Sequence, residues 1–286
     1  MANLRDIRRR ITSVQKTQQI TRAMRMVAAA KLRRAQEAIQ AARPYAERMR
    51  ATLEEVAGGQ PDAEHPLLAP RDPVRKLEIV LITSDRGLCG AFNANVLKHA
   101  QALVNARRGE LDSITFTAVG RKANEYLRRR RCEIRQTWSG LGSIRYGDAT
   151  AIAVPLAERY AAGEVDEVVL VYSEFVSAIT QRPLDARLLP FTPREAPEGD
   201  PEPPFEIEPD AAQLLAVLVP KAVEVEVFRA LLESQAGEHA ARMASMESAT
   251  RNTEEMIDSL TLTYNRVRQA AITKELVEIV SGAEAL

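Results

Sequence analysis

Cysteine and histidine are both scarce in this chain of 286 residues. The two cysteines, Cys89 and Cys132, cannot form a disulfide framework, and such a small number is typical of a reducing compartment. Neither they nor the three histidines, His65, His99 and His239, stand at a spacing that matches a familiar set of metal ligands. We therefore predict no metal site, no bound cofactor and no catalytic constellation.

Long apolar runs are also missing, although 45% of the residues are hydrophobic. No stretch approaches the roughly eighteen apolar residues that a membrane-spanning helix needs. The N-terminus lacks the apolar core of a secretory signal, and although it is Arg-rich, as transit peptides are, it continues directly into a helical pattern. The sequence predicts a soluble protein without direct membrane insertion.

The chain has no net charge, since 39 Lys and Arg residues balance 39 Asp and Glu residues. The charged residues are nevertheless distributed unevenly along the sequence. Thirteen basic residues lie in the first fifty positions: Arg5, Arg8, Arg9, Arg10, Lys16, Arg22, Arg25, Lys31, Arg33, Arg34, Arg43, Arg48 and Arg50. Such a basic helix suits an acidic protein surface, nucleic acid or anionic lipid. A coiled-coil nucleic-acid-binding protein is therefore an alternative, although no aromatic residue precedes Tyr45 and no recognition motif is present.

Glycine and proline, which interrupt helices, are nearly absent from two long stretches. Residues 4–56 contain only Pro44, and residues 210–281 contain only Pro220 and Gly237. The remaining composition favours helix and predicts rods of roughly 80 and 110 Å. Each proline is expected to bend its helix or to separate some terminal turns from it.

Both helical stretches carry a thin apolar seam with the three- and four-residue spacing of a coiled coil. The N-terminal seam comprises Leu4, Ile7, Ile11, Val14, Gln18, Thr21, Met24, Ala28, Ala35, Ala42, Met49, Leu53 and Val56. The C-terminal seam comprises Leu218, Ala222, Val225, Phe228, Leu232, Gln235, His239, Arg242, Met246, Thr253, Met256 and Leu260. Antiparallel pairing would bury both seams. The polar positions around Gln18 and Thr21 indicate that this part does more than hold a partner helix.

The C-terminal helix is predicted to be longer than its partner. If both helices begin level with the segment between them, the C-terminal one extends about 30 Å further. The extension contains residues 270–286, with Ile272, Leu276, Ile279 and Val280 on its apolar side. Because a single amphipathic helix is marginal in water, we expect another protein to enclose it.

The middle of the chain alternates between strand and helix patterns, which indicates a small, mainly parallel sheet covered by helices. Strands are predicted at 77–83, 113–119 and 167–172, with a further strand pair at 177–182 and 184–191. Helices are predicted up to about residue 107, over 121–131 and over 148–161. The fold class is α/β: a long antiparallel coiled coil of the terminal helices plus a central Rossmann-like domain.

Segments rich in proline and glycine set the predicted domain boundaries. We predict an N-terminal helix over 1–57, an α/β domain over 74–192 and a C-terminal helix over 209–286. Linkers are predicted at 58–73 and 193–208.

A glycine-bearing turn follows the first strand and precedes a helix, where phosphate-binding loops occur. Gly87 and Gly90 fit neither G-x-G-x-x-G nor the P-loop spacing, so a tight structural turn is favoured over a nucleotide site. Cys89 within the turn is interpreted as a small buried thiol rather than an activated nucleophile.

Four segments together resemble the gamma subunit of bacterial-type F-type rotary ATP synthases, and the resemblance covers nearly the whole chain. They are ITRAMRMVAAAK at 20–31, ITSDRGLCG at 82–90, EHAARMASM at 238–246 and YNRVRQAAITKEL at 264–276, in that order. The last of these is the most specific.

The resemblance implies a non-catalytic rotor, the central stalk, that couples proton flow to ATP synthesis or, in reverse, hydrolysis. The implied partners are three alpha and three beta subunits around the coiled coil, the epsilon subunit and the ring of c subunits, but no nucleic acid. The implied location is peripheral, on the cytoplasmic face of the bacterial inner membrane. We expect no transit peptide before the first helix, and the plant-type regulatory cysteine insertion has no counterpart in the sequence, so the resemblance implies a bacterial enzyme without thiol control.

The resemblance also implies seven contacts with beta-subunit loops or with a bearing: Met24, Arg25, Arg268, Gln269, Thr273, Leu276 and Ile279. The first two would face the beta lever region, and the next three would meet the loops that grip the rotor. The last two would lie in an apolar bearing at the top of the ring. An enzyme built on the α/β domain is another alternative, but it would need a pocket constellation that the sequence does not show.

Overall fold

The computed structural model describes residues 4–59, 65–192 and 211–284 of the chain. Ten elements follow one another: α1 (Leu4–Gly59), β1 (Lys76–Ile82), α2 (Phe92–Arg107), β2 (Ser113–Val119), α3 (Arg121–Arg129), β3 (Glu133–Trp138), α4 (Tyr146–Ala161), β4 (Glu167–Phe175), β5 (Gln181–Leu189) and α5 (Ala211–Glu284). The linker predicted at 193–208 lies outside the described residues, as do residues 60–64 of the linker predicted at 58–73.

The terminal helices are the longest elements, with 56 residues in α1 and 74 in α5, as the sequence predicts. Pro44 and Pro220 lie inside them, and neither proline ends its helix. Leu53 and Val56, beyond Pro44, are buried in the apolar core. Their packing holds the last turns of α1 in helix, although proline removes one backbone hydrogen bond.

The central sheet has five strands in the order β3-β2-β1-β4-β5. Strand β1 pairs in parallel with β2 and β4, and β2 pairs in parallel with β3. Strand β5 runs antiparallel beside β4. The predicted mainly parallel sheet is therefore confirmed.

Alternate residues of β1 pack into two separate apolar clusters, because successive side chains of a strand point to opposite faces. Leu77, Ile79 and Leu81 pack with residues of α2 and α3. Val80 and Ile82 pack on the other face with α4, the last turns of α1 and the first part of α5. Both faces of the sheet are covered, which explains the nearly continuous apolar sequence of its strands.

Two strand predictions differ from the structure. The pair predicted at 177–182 and 184–191 is a single strand, β5, and a turn closed by a 3.0 Å hydrogen bond from Ser177 N to Thr180 O precedes it. Strand β3 is not predicted. Its exposed residues, Glu133, Arg135 and Thr137, alternate with half-buried ones and give this edge strand a polar sequence.

The chain divides into two compact units. The first consists of the described residues up to Ala29 and from Arg242 onward, all of which belong to α1 and α5. The second consists of residues 30–241 and contains the five-stranded sheet.

Candidate functional site

The first unit is built on a three-four seam along each helix. On α1, Ile7 is buried and Ile11 and Val14 are half-buried, as predicted. The prediction of Met256 as a seam residue of α5 is wrong, because this residue is 52% exposed. The half-buried Ile257 continues the three-four spacing instead.

Polar side chains join the two helices in the middle of this seam. The hydroxyls of Thr21 and Thr250 lie 2.9 Å apart in a buried hydrogen bond. Gln18 Nε2 donates to Glu254 Oε1 at 3.1 Å, and Arg22 donates to the same oxygen at 3.2 Å. Gln18 and Thr21 therefore bond to the partner helix, and their polarity does not leave the seam unpaired.

An ion pair between Arg25 and Glu247 follows one turn further along. The hydrogen bond from Arg25, together with its positive charge, holds the pKa of the Glu247 carboxyl below its usual value. Met24, beside it, is half-buried. The two residues predicted to face the beta lever region thus lie on the helix pair itself, and Arg25 is already engaged by a partner.

Sequence reasoning does not select Glu247 and Glu254, although a signal for them exists. These two acids stand seven residues apart on α5, and Gln18 and Arg25 stand seven apart on α1. Matched heptad spacing of complementary groups on two antiparallel helices is the pattern of cross-helix pairing.

The cross-helix contacts fix an antiparallel register in the first unit. Thr21 is opposite Thr250 and Arg25 is opposite Glu247, so each step along α1 corresponds to one step back along α5. Continuing this register places Leu4 opposite about residue 268, since both helices rise equally per residue. The burial pattern agrees, because Ala271 is half-buried and every residue from 272 to 281 is exposed.

Five predicted contact residues lie at or just before this unpartnered end of α5. Arg268, Gln269 and Thr273 are exposed, and the Thr273 hydroxyl donates to Gln269 O at 3.0 Å within the helix. Leu276 and Ile279 are 57% and 68% exposed. The structure therefore brings these five residues together on one solvent-facing helical segment, as the sequence suggests.

Exposed apolar side chains are unusually frequent on the first unit. Besides those at the end of α5, they include Ile20, Met26, Val27, Met256 and Leu262, each more than half exposed. Scattered exposed apolar residues are ordinary, but a concentration on one helical unit marks a protein interaction surface.

The turn after β1 uses its polar groups within the second unit. Ser84 N donates to Asn93 Oδ1 at 3.0 Å. The two oxygens of Asp85 accept hydrogen bonds from Arg121 N at 3.0 Å and from Gly140 N at 2.7 Å. The Asp85 carboxylate therefore fastens this turn to the start of α3 and to the loop after β3, which supports a structural turn rather than a phosphate site.

Cys89 within this turn is buried. Asn93 Nδ2 donates to Cys89 Sγ at 3.2 Å, and the Ser84 hydroxyl lies 3.9 Å from the same sulfur. The prediction of a small buried thiol is confirmed.

Residues 4–59, 65–192 and 211–284 contain no group of three or more His, Cys, Asp or Glu side chains arranged to hold a metal ion. Within those same ranges, no helix combines the length and the apolar character that a membrane crossing requires.

Comparison with known proteins identifies a family model and relatives that match this chain over nearly its full length. A family model described as ATP synthase matches residues 3–286. The ATP synthase gamma chain of Anaeromyxobacter sp. strain Fw109-5 is 53% identical over 291 residues, covering 100% of both chains. The gamma chain of Pelotomaculum thermopropionicum is 50% identical over 287 residues, again with 100% of both chains covered. The chain belongs to the ATP synthase gamma chain family.

Solved structures agree with this family. A chain from the central stalk and c-ring of Tetrahymena thermophila mitochondrial ATP synthase is 26% identical, with a TM-score of 0.61 over 80% of this chain and 99% of that one. A chain from Euglena gracilis mitochondrial ATP synthase shares the fold, with a TM-score of 0.68 at 22% identity over 99% of this chain and 94% of that one.

Membership of the gamma chain family identifies the function of the chain. The chain is the central-stalk rotor subunit of an ATP synthase, and it is a non-catalytic subunit.

Proposed function

We propose that this rotor transmits rotation driven by proton flow to a ring of three alpha and three beta subunits, and that the first unit lies inside that ring. The observation that carries the proposal is the end of α5, where residues 272–281 are all exposed and have no partner on α1. A helix with exposed apolar residues along it needs an enclosing surface.

The apolar side of this end forms the bearing contact of the proposal. Ile272, Leu276, Ile279 and Val280 are each at least half exposed. Their burial in an apolar collar would be favourable, and because the hydrophobic effect is non-directional, it would hold the end of the rotor while permitting it to turn.

Arg268, Gln269 and Thr273 form the gripping contact of the proposal. Arg268 and Gln269 precede the bearing residues, and Thr273 lies among them. All three are exposed, so their polar groups are accessible to loops of a beta subunit. Arg25 has a different role in the proposal, because its side chain is paired with Glu247. It reaches the beta lever region as one member of an ion pair on the surface of the helix pair.

The basic character of α1 favours acidic loops of the beta subunits as its partners. Arg8, Arg9, Arg10 and Lys16 are exposed on the first unit. A cluster of positive charge attracts an acidic surface and orients the two proteins before they make contact.

The second unit binds the epsilon subunit and the ring of c subunits in this proposal. The structural relative from Tetrahymena comes from a central stalk with its c-ring, which supports the assignment. The subunit would then be peripheral to the cytoplasmic face of a bacterial inner membrane, bound through its partners and without inserting into the lipid.

The proposed mechanism involves no bond made or broken by this chain. In this proposal each orientation of the rotor presents a different face to each beta subunit and so favours a different conformation of that subunit through differential contacts. Proton-driven rotation would then change which catalytic site is open, loosely filled or tightly filled.

Reconstitution tests the proposal directly. Purified alpha and beta subunits from the same organism would be assayed for steady ATP hydrolysis with and without this chain. A stable complex whose turnover depends on the chain is expected. A folded chain that neither binds the other subunits nor changes their turnover would contradict the proposal.

The gripping contact has a sharper test in the assembled complex. Arg268→Ala and Thr273→Val are expected to lower turnover and coupling, because both remove polar contacts with the beta loops. Arg266→Ala and Thr263→Val are matched controls, since these two residues are also exposed and lie outside the proposed contact set. Unchanged turnover and coupling in both contact variants would overturn the assignment of these residues.

A further inference from the structure

The second unit contains a cavity of about 430 Å³ that the rotor function does not use. It lies between residues 39–47 of α1, residues 225–233 of α5 and Tyr146, the first residue of α4. Its volume is within the range of sites that bind small organic molecules. We call it the α1/α4/α5 cavity.

The walls of the α1/α4/α5 cavity are mainly apolar. Ile39, Val225 and Leu232 line it, and two aromatic rings stand together on one side. These are Tyr146 and Phe228, whose ring centroids lie 5.6 Å apart in an edge-to-face arrangement. Such a surface accepts the aromatic or alkyl body of a ligand.

One carboxylate in this apolar wall lacks its full set of partners. The Glu233 side chain is 14% exposed, and its Oε1 atom lies 3.8 Å from Arg229. Its Oε2 atom is buried and has no hydrogen-bond partner among the described residues. Arg229 is closer to Glu226, at 2.8 Å, so it does not fully compensate Glu233. Burial raises the pKa of the Glu233 carboxyl accordingly.

The charges around the cavity favour a cation as the missing partner. Glu47, Glu226 and Glu233 line it together with only two basic residues, Arg43 and Arg229, which leaves an excess of one negative charge. Arg43 and Glu47 are exposed, so water screens them. The Glu233 carboxylate is half-compensated by Arg229, and a hydrogen-bond donor that carries positive charge would complete its pairing.

We propose that the α1/α4/α5 cavity binds a small amphipathic organic cation. A protonated amine of the ligand pairs with the Glu233 carboxylate, and an aromatic or alkyl body packs against Ile39, Val225, Phe228 and Leu232. Because the ligand touches both long helices and α4, it binds the folded chain and not the unfolded one. Occupancy therefore raises the unfolding temperature of the chain.

Binding is tested on the full chain by isothermal calorimetry with three probes that share one body and differ in charge. They are 4-phenylbutylamine, the neutral 4-phenylbutanol and the anionic 4-phenylbutyrate. The amine is expected to bind at least about tenfold more tightly than the alcohol, because its positive charge pairs with a carboxylate that Arg229 compensates only in part. The butyrate is expected to bind most weakly.

Two variants and one control locate the site. Glu233→Gln keeps the shape of the side chain and is expected to abolish the preference for the amine over the alcohol. Ala42→Phe fills the cavity without changing its charge and is expected to weaken all three probes. Glu47→Gln, at an exposed lining position, is expected to change affinity by less than about twofold, because exposed charges are screened.

The outcomes separate clearly when circular dichroism shows each variant to be folded. Equal affinity for amine and alcohol would mean that a water molecule or the apolar wall alone fills the cavity, and would overturn the proposal. No binding of the amine at millimolar concentration, or an unchanged preference in Glu233→Gln, would overturn it too. If Glu233→Gln does not fold, the test rests on Ala42→Phe. Binding of the amine to Ala42→Phe as tight as to the wild-type chain would contradict the proposed site.

Discussion

A single buried carboxylate illustrates how individual residues organise the second unit. Glu78 lies in the middle of the central strand β1, with its side chain fully buried. Arg159 of α4 donates to both carboxylate oxygens, at 2.9 and 2.7 Å, and the Thr117 hydroxyl donates to one of them at 2.7 Å. The network joins β1, β2 and α4. The negative charge of Glu78 can therefore lie inside an apolar strand, because Arg159 and Thr117 hydrogen-bond both of its carboxylate oxygens.

Removing one member of this pair is predicted to be costly. Arg159→Leu leaves the Glu78 charge buried without compensation and should lower the free energy of unfolding by about 3–5 kcal/mol. The double variant Glu78→Leu/Arg159→Leu leaves no buried charge and should lose less. Urea unfolding of the full chain measures both. A double variant less stable than the single one would contradict the role given to the pair.

The glycine before α3 is predicted to be irreplaceable for a local reason. Gly120 has a φ of +93°, and an added Cβ would meet the backbone oxygen of Thr83 at 2.2 Å. Gly120→Ala should therefore lower the free energy of unfolding by at least about 2 kcal/mol. Gly109→Ala is the control, because nothing lies within 4 Å of its added Cβ. Similar stability of the two variants would contradict this explanation.

At the scale of elements, the helix pair of the first unit contains a titratable contact. Arg25 lowers the pKa of Glu247, so the contribution of this pair to stability is complete above the ordinary glutamate pKa. It is lost as the pH falls through the lowered pKa. Carboxyl titration by NMR should show a higher midpoint for Glu247 in Arg25→Ala. Arg33→Ala, which removes the separate pair with Glu37, should leave that midpoint unchanged. The same Glu247 midpoint in wild type and Arg25→Ala would refute the pairing.

The unpartnered end of α5 is predicted to contribute to assembly and not to the stability of the isolated chain. Leu276→Gln/Ile279→Gln replaces two exposed apolar residues with good helix formers. The free energy of unfolding should change by less than about 0.5 kcal/mol. Binding to the alpha and beta subunits should weaken, whereas the exposed control Glu275→Gln should bind normally. A large loss of stability without weaker binding would reverse this assignment.

The elements differ in how well the sequence predicts them, for physical reasons. Strands buried on both faces, such as β1, have continuous apolar runs that identify them. Edge strand β3 has one exposed side, and its polar residues are compatible with a loop. Met256 and Ile257 are adjacent and both apolar, so the sequence does not decide which of them lies in the seam, because only the partner helix fixes the register. The bonds of Gln18 and Thr21 likewise depend on side chains of α5, more than two hundred residues away.

At the scale of the molecule, the four motifs and the full-length relatives agree on one family, while the finer contacts are less determined by the sequence. The exposed end of α5 follows from the unequal lengths of the two helices. The α1/α4/α5 cavity does not follow from any motif. It depends on how residues far apart in the sequence pack, and Glu233 alone gives no indication of it.

Rotation of this chain against the ring of alpha and beta subunits is the central claim, and observing it directly is the decisive measurement. A bead attached through Glu110→Cys, in an exposed turn after α2, would report the angle of the rotor in single reconstituted complexes. With ATP present, the bead should turn in one direction and pause at three equally spaced angles. ATP turnover in complexes that contain the chain while the bead stays still would contradict the account.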